Sequence, residues 1–137
     1  MSEVGVLIVD DFEPWRRFIA GLLDRADDVY ATSFAADGLE AVRKAAELRP
    51  DVIVMDVGLP TVSGIEAARH IREFVPESRI VFVSSFSDPE IVRAALRSGG
   101  RGYVLKADAH EALLRGMETV RLGRYFLSPS LSDIERC

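Results

Sequence analysis

Short apolar runs alternate with amphipathic stretches along the chain. The first run, Val4-Gly5-Val6-Leu7-Ile8-Val9, is largely β-branched and carries no charge, the pattern of a strand buried on both faces. Glu13-Pro14 then opens a helix, with Pro14 suited to its first turn. Trp15, Phe18, Ile19, Leu22 and Leu23 recur at spacings of three and four and form one apolar stripe. A more polar, alternating segment from Val29 to Phe34 predicts an edge strand. Gly38 to Leu48 predicts a helix with Leu39, Val42, Ala46 and the end of the run on one side, stopped at Arg49-Pro50-Asp51.

The pattern then repeats. Val52 to Met55 predicts a third strand, and Ile65 to Phe74 a helix after the loop Gly58-Leu59-Pro60 and Ser63-Gly64. Ile80 to Val83 predicts a fourth strand. Asp88-Pro89-Glu90 has the order of an N-cap, a proline at the first helical position and an acid in the first turn. That helix is expected to end near Gly99-Gly100. Tyr103 to Leu105 predicts a short fifth strand, and Ala109 to Leu122 a last helix stopped by Gly123. This (βα)5 alternation implies a doubly wound α/β fold, a parallel sheet with helices on both faces.

Composition narrows the classes. A chain of 137 residues is one domain's worth, since domains run to about 100–200 residues. The 48% hydrophobic fraction rules out a disordered or collagen-like chain. Seventeen basic against 22 acidic residues give a net charge of −5, which argues against nucleic-acid contact through a basic patch. The single cysteine, Cys137, excludes a disulfide framework or a cysteine zinc site within one chain. The N-terminus lacks a basic signal-peptide region, and no run approaches the ~20 apolar residues of a membrane span. A reducing, cytoplasmic setting away from membranes is expected.

In an open parallel sheet, ligands bind beyond the carboxyl ends of the strands. Asp10 and Asp11 follow the first strand, Asp56 the third, Ser84 the fourth and Lys106 the fifth. Each residue alone has a plainer reading. Asp10 or Asp11 could cap a helix, Asp56 could open a turn, Ser84 could bond its own loop, and Lys106 could be a solvated lysine. Together, three acids, a hydroxyl and an amine on one rim exceed what capping requires. Crowded carboxylates call for a cation, and an all-oxygen set suits Mg²⁺. A carboxylate beside Mg²⁺ can attack phosphorus and form an aspartyl phosphate, with the amine and hydroxyl holding the phosphoryl oxygens.

Five segments carry a family resemblance: Val9-Asp10-Asp11, Met55-Asp56-Val57-Gly58-Leu59-Pro60, Ser63-Gly64-Ile65-Glu66, Val83-Ser84-Ser85 and Gly102-Tyr103-Val104-Leu105-Lys106. From about Val4 to Leu122 the sequence resembles the receiver domain of bacterial two-component response regulators. The resemblance implies a flavodoxin-like sheet of order 2-1-3-4-5. It implies that Asp56 accepts a phosphoryl group from a sensor histidine kinase. It makes Asp11 a direct Mg²⁺ ligand, Asp10 an acid acting through water, and the Gly58 backbone carbonyl a further ligand. It also implies that Lys106 pairs with the phosphoryl group, that Ser84 moves to it, and that Tyr103 turns inward as Ser84 moves. That motion would reshape the face formed by the fourth helix, fifth strand and fifth helix. Such a domain is a signalling switch rather than an enzyme with a turning-over substrate. Where family members often carry proline after the lysine, Ala107 stands here.

Gly123-Arg124-Tyr125-Phe126-Leu127-Ser128-Pro129 resembles the subclass that precedes a LuxR/NarL-type helix-turn-helix. Residues 1–123 are therefore expected to be the receiver, and 124–137 the start of a linker or tail, with a DNA-binding output domain absent from this chain. The alternative is a phosphate-independent interaction module that forms a homodimer through the stripes on the first and last helices, the latter being Leu113, Met117 and Val120. An aspartyl-phosphate hydrolase lacks support, because Val57 and Gly58 follow Asp56. His70 and His110 have no ligand partners at helical spacing and are expected at the surface, and Trp15 in the core or at its rim.

Overall fold

The computed structural model describes residues 3–131. Met1, Ser2 and residues 132–137, Cys137 among them, lie outside the described residues. The elements run β1 (Val4–Val9), α1 (Glu13–Leu23), β2 (Val29–Ala35), α2 (Gly38–Leu48), β3 (Val52–Met55), α3 (Gly64–Phe74), β4 (Arg79–Ser84), α4 (Pro89–Arg97), β5 (Gly100–Leu105), α5 (Ala109–Arg121) and β6 (Phe126–Leu127). Two 3-10 turns, Lys106–Asp108 and Pro129–Leu131, complete the chain. The sheet order is β2-β1-β3-β4-β5-β6 and every pairing is parallel. This is the doubly wound, flavodoxin-like order 2-1-3-4-5 expected from the sequence, with a sixth strand added.

The central strands alternate between two cores, which is why their apolar runs are unbroken. Leu7, Val9, Ile53, Met55, Ile80 and Phe82 face one core with α2, α3 and α4 residues. Val4, Val6, Ile8, Val52, Val54, Val81 and Val83 face the other, with Ile19, Leu22, Leu23, Leu113, Met117 and Val120 from α1 and α5. The α5 stripe thus turns inward, as do Ile19, Leu22 and Leu23 of α1, while Phe18 of the α1 stripe stays 41% exposed. Asp88 caps α4 as its sequence predicts, accepting the Glu90 N–H at 2.9 Å. No described helix is long and apolar enough to cross a membrane.

Two expectations need correction, and residues 124–131 add a packing that the sequence did not announce. The buried side of α2 is Gly38, Ala41 and Ala45, while Leu39 is 60% exposed and Ala46 also faces out. The small side wins because α2 runs close to the loop before α3: a Cβ on Gly38 would sit 1.9 Å from the Val62 carbonyl oxygen. β5 begins at Gly100 rather than Tyr103, since Gly99, at φ 127°, ends the α4 turn and Gly100 lets β5 pass the Phe82 ring. Residues 124–131, read in the sequence as the start of a linker or tail, are packed on the sheet edge. Gly102 and Tyr103 pair with Phe126 and Leu127, Phe126 fills the space above Gly116 of α5, and Ser128 and Leu131 are buried.

Candidate functional site

Strand register assembles the rim. Val9 pairs with Met55, so Asp10 and Asp56 leave adjacent strands side by side, and the Asp56 N–H donates to the Val9 carbonyl at 3.0 Å. Ser84 pairs with Leu105, which sets Lys106 just beyond the end of β4. Behind Asp56 the loop must pass tightly: a Cβ on Gly64 would lie 2.0 Å from the Asp56 carbonyl oxygen. Four strands therefore deliver the predicted groups to one end of the sheet.

Asp10, Asp11 and Asp56 each offer an oxygen, and these lie within 4.8 Å of one another. Asp10 is buried, Asp56 half-buried and Asp11 exposed. Lys106 Nζ stands 2.9 Å from Asp10 Oδ2 and 3.3 Å from Asp56 Oδ2. Asp10 Oδ1 accepts the Phe12 N–H at 2.9 Å, just ahead of α1. Asp10 Oδ2, though close to the ammonium, is buried without a well-aligned hydrogen bond. Val57 N–H donates to Asp56 Oδ1 at 2.7 Å.

The electrostatics follow from this crowding. Burial pushes the Asp56 carboxyl above its usual range; the Lys106 charge opposes that, and the neighbouring Asp10 adds to it. Burial alone would lower the Lys106 pKa, but its close contact with Asp10 and the charge of Asp56 outweigh burial and raise it. One ammonium beside two of three clustered carboxylates leaves net negative charge in a partly dry place. A hard divalent cation fits that donor set of carboxylate oxygens, with Asp10 Oδ2 still lacking an aligned donor.

Ser84 and Tyr103 are both fully buried. Phe86 N–H donates to Ser84 Oγ at 3.1 Å, and Tyr103 Oη donates to the Phe86 carbonyl at 2.8 Å. The Tyr103 ring already lies inward, 6.3 Å from that of Phe82. Burial raises the pKa of its hydroxyl, against a bond from Ser84, and the charge of Asp56 raises it further. Gly58 is exposed two residues past Asp56, with the Phe86 ring close: a Cβ there would meet Phe86 Cε2 at 3.3 Å.

Three contributors escaped the sequence reading. Phe86 bridges Ser84 and Tyr103 through backbone atoms, which no side-chain pattern announces. Arg16 Nη1 donates to the Asp10 carbonyl at 2.6 Å, and Lys106 Nζ stands 5.1 Å from the centre of the Trp15 ring. Only the position of Trp15 one turn past the aspartates hinted at the latter. The described peptide bonds are all trans, Lys106–Ala107 included. His70 and His110 are exposed as expected, but the expectation that neither has an acid at helical spacing fails for His70, whose Nε2 lies 3.6 Å from Glu66 one turn earlier on α3.

Comparison with known proteins extends the picture. A family model described as the response regulator receiver domain matches residues 6–118. The transcriptional regulatory protein LnrK of Bacillus subtilis is 30% identical over 94% of this chain and 59% of its own length. The oxygen regulatory protein NreC of Staphylococcus epidermidis is 34% identical over 93% of this chain and 59% of its own. The chain thus spans 59% of the length of these relatives. Among solved structures, a LuxR-family two-component response regulator from Aurantimonas sp. SI85-9A1 superposes with a TM-score of 0.92 at 32% identity, covering 97% of this chain and 95% of that one. The response regulator domain of Thermotoga maritima CheB gives 0.82 at 33% identity, covering 88% and 97%.

Proposed function

Because the chain belongs to the response regulator receiver domain family, we propose that Asp56 accepts a phosphoryl group from the phosphohistidine of a partner sensor histidine kinase. The supporting observation is the rim itself, three carboxylates within 4.8 Å with Lys106 between two of them. An oxygen of Asp56 forms the new bond to phosphorus, the phosphorus–nitrogen bond of the donor breaks, and the imidazole leaves with its electron pair. Burial keeps the Asp56 carboxylate poorly solvated and reactive.

Asp10, Asp11, Asp56 and the Gly58 carbonyl would hold Mg²⁺. When bound, the ion offsets the negative charge that builds on the phosphoryl oxygens. Lys106, kept as an ammonium by Asp10, takes a phosphoryl oxygen, and Arg16 and Trp15 hold the rim in place. The Ser84 hydroxyl then turns from the Phe86 N–H to a phosphoryl oxygen. Phe86 is also anchored to Tyr103, so losing one of its two bonds shifts the loop between β4 and α4. The phosphate thereby biases a two-state equilibrium on the α4-β5-α5 face.

We further assign residues 1–123 as the receiver and 124–137 as the tail, whose first residues pack on β5. Control of transcription through a LuxR/NarL-type DNA-binding domain, in a cytoplasmic setting, completes the reading. The rival interaction module loses part of its motive, because the α5 stripe and Ile19, Leu22 and Leu23 of α1 are buried in the core, and Phe18 alone of the α1 stripe is exposed.

Acetyl phosphate with Mg²⁺ should add one phosphoryl group to the intact mass of the wild type and none to Asp56→Ala. Equal labelling of both would overturn the assignment. Loss of labelling with a chelator separately tests the metal.

A further inference from the structure

The end of the sheet opposite the aspartates holds a cavity of about 180 Å³. Arg72 of α3, Arg79 of β4 and Arg101 of β5 line it, with Ser78, Gly99 and Tyr125. Among the described residues no carboxylate is in its lining, although the chain carries 22 acids against 17 basic residues. Glu77, between the lining residues Pro76 and Ser78, is paired with Arg49.

The arginines are held in place. Arg72 Nη1 donates to the Arg97 carbonyl at 3.1 Å, Arg79 Nη1 to the Val120 carbonyl at 2.7 Å, and Arg101 Nη1 to the Gly123 carbonyl at 3.4 Å. The Arg101 guanidinium also lies 5.4 Å from the centre of the Tyr125 ring. Gly99 keeps room for Arg72, whose Cδ is 3.2 Å from where a Cβ would stand. These bonds cap the ends of α4 and α5, where a cation is favourable. Two helix ends need two cations, and here a third converges on the same space. A guanidinium has five N–H donors, and each of these bonds uses one nitrogen. Three cations held around one small space, with no acid among them, form a fork-shaped receptor that matches phosphate oxygens. Taking about 30 Å³ per water, the cavity has room for roughly six waters, enough for one five-atom oxyanion and some hydration.

We propose that this cavity binds a phosphate dianion, either free phosphate or the head of a small phosphomonoester. It is independent of phosphorylation at Asp56, which lies at the far end of the strands. The test is a titration of the ¹⁵N-labelled chain with inorganic phosphate, then glycerol phosphate, against sodium chloride at matched ionic strength. Saturable shifts of the Gly99, Arg101 and Tyr125 amides with the phosphates are expected. The double variant Arg72→Gln/Arg101→Gln should weaken them at least tenfold while its spectrum stays that of a folded chain. Earlier saturation by the monoester would identify a phosphorylated small molecule as the source, and equal saturation free phosphate. Shifts that chloride reproduces, or that the double variant retains, would overturn the proposal.

Discussion

Lys106 is the residue on which the rim's charge balance rests. It stands within ion-pair distance of the carboxylates of both Asp10 and Asp56, and Asp10 is almost wholly buried. Removing one partner of a buried pair costs about 3–5 kcal/mol, and the partial exposure of Lys106 places Lys106→Met near the low end. Urea unfolding without metal should therefore show a loss of about 3 kcal/mol. Asp56→Asn should act oppositely, since it removes a crowded, poorly solvated charge. Its melting temperature in chelator should rise by roughly 2–4 °C, the shift that about 1 kcal/mol gives in a chain somewhat larger than this one. Mg²⁺ should then raise the melting temperature of the wild type and not of the variant. Asp10, Asp56 and Lys106 were legible in the sequence because each follows an apolar run directly. Phe86 was not, because it acts through its backbone N–H and carbonyl, which every residue has.

The α2 helix shows why periodicity names a helix more readily than its buried side. Leu39, Val42 and Ala46 satisfy helical spacing, and so do Gly38, Ala41 and Ala45. The close approach of the Val62 carbonyl to Gly38 decides between them, and that contact is between segments far apart in the chain. Gly38→Ala should cost at least the 1–3 kcal/mol typical of overpacking, whereas Leu39→Ser should stay within about 0.5 kcal/mol in the same denaturation assay. Helix α2 also carries a pH dependence. Glu40 Oε1 accepts the Ala36 N–H, and that bond, together with Lys44 and Arg43, lowers the Glu40 pKa despite some burial. A lowered carboxyl stabilises the fold above its unfolded pKa and loses that effect as pH falls through the folded one. Wild type should thus exceed Glu40→Gln in stability at neutral pH, and the gap should close in acid below the ordinary glutamate range. Unfolding curves of both proteins across that range measure it.

At the scale of the whole molecule, β6 changes how the C-terminal region is understood. The sequence 124–131 looks like tail because a two-residue strand has no readable period and Pro129 with its serines suggests a linker. Yet Ser128 Oγ accepts the Leu105 N–H at 3.3 Å and donates to Asp108, and Ser130 Oγ donates to Asp108 at 3.0 Å. These bonds hold residues 128–130 beside Tyr103, on β5, and Lys106, just past its end. The parallel sheet and its site end were legible because strands and helices alternate from Val4 to Leu122; the added strand was not, because its pairing is long-range. The central claim is that this sheet presents Asp56 as a phosphoacceptor. Its most direct measurement is to locate the phosphoryl group by peptide mass spectrometry after acetyl phosphate and Mg²⁺ treatment. A single modified peptide is expected, the one containing Asp56, and none in Asp56→Ala. A phosphoryl group on another residue, or none on the wild type, would contradict it.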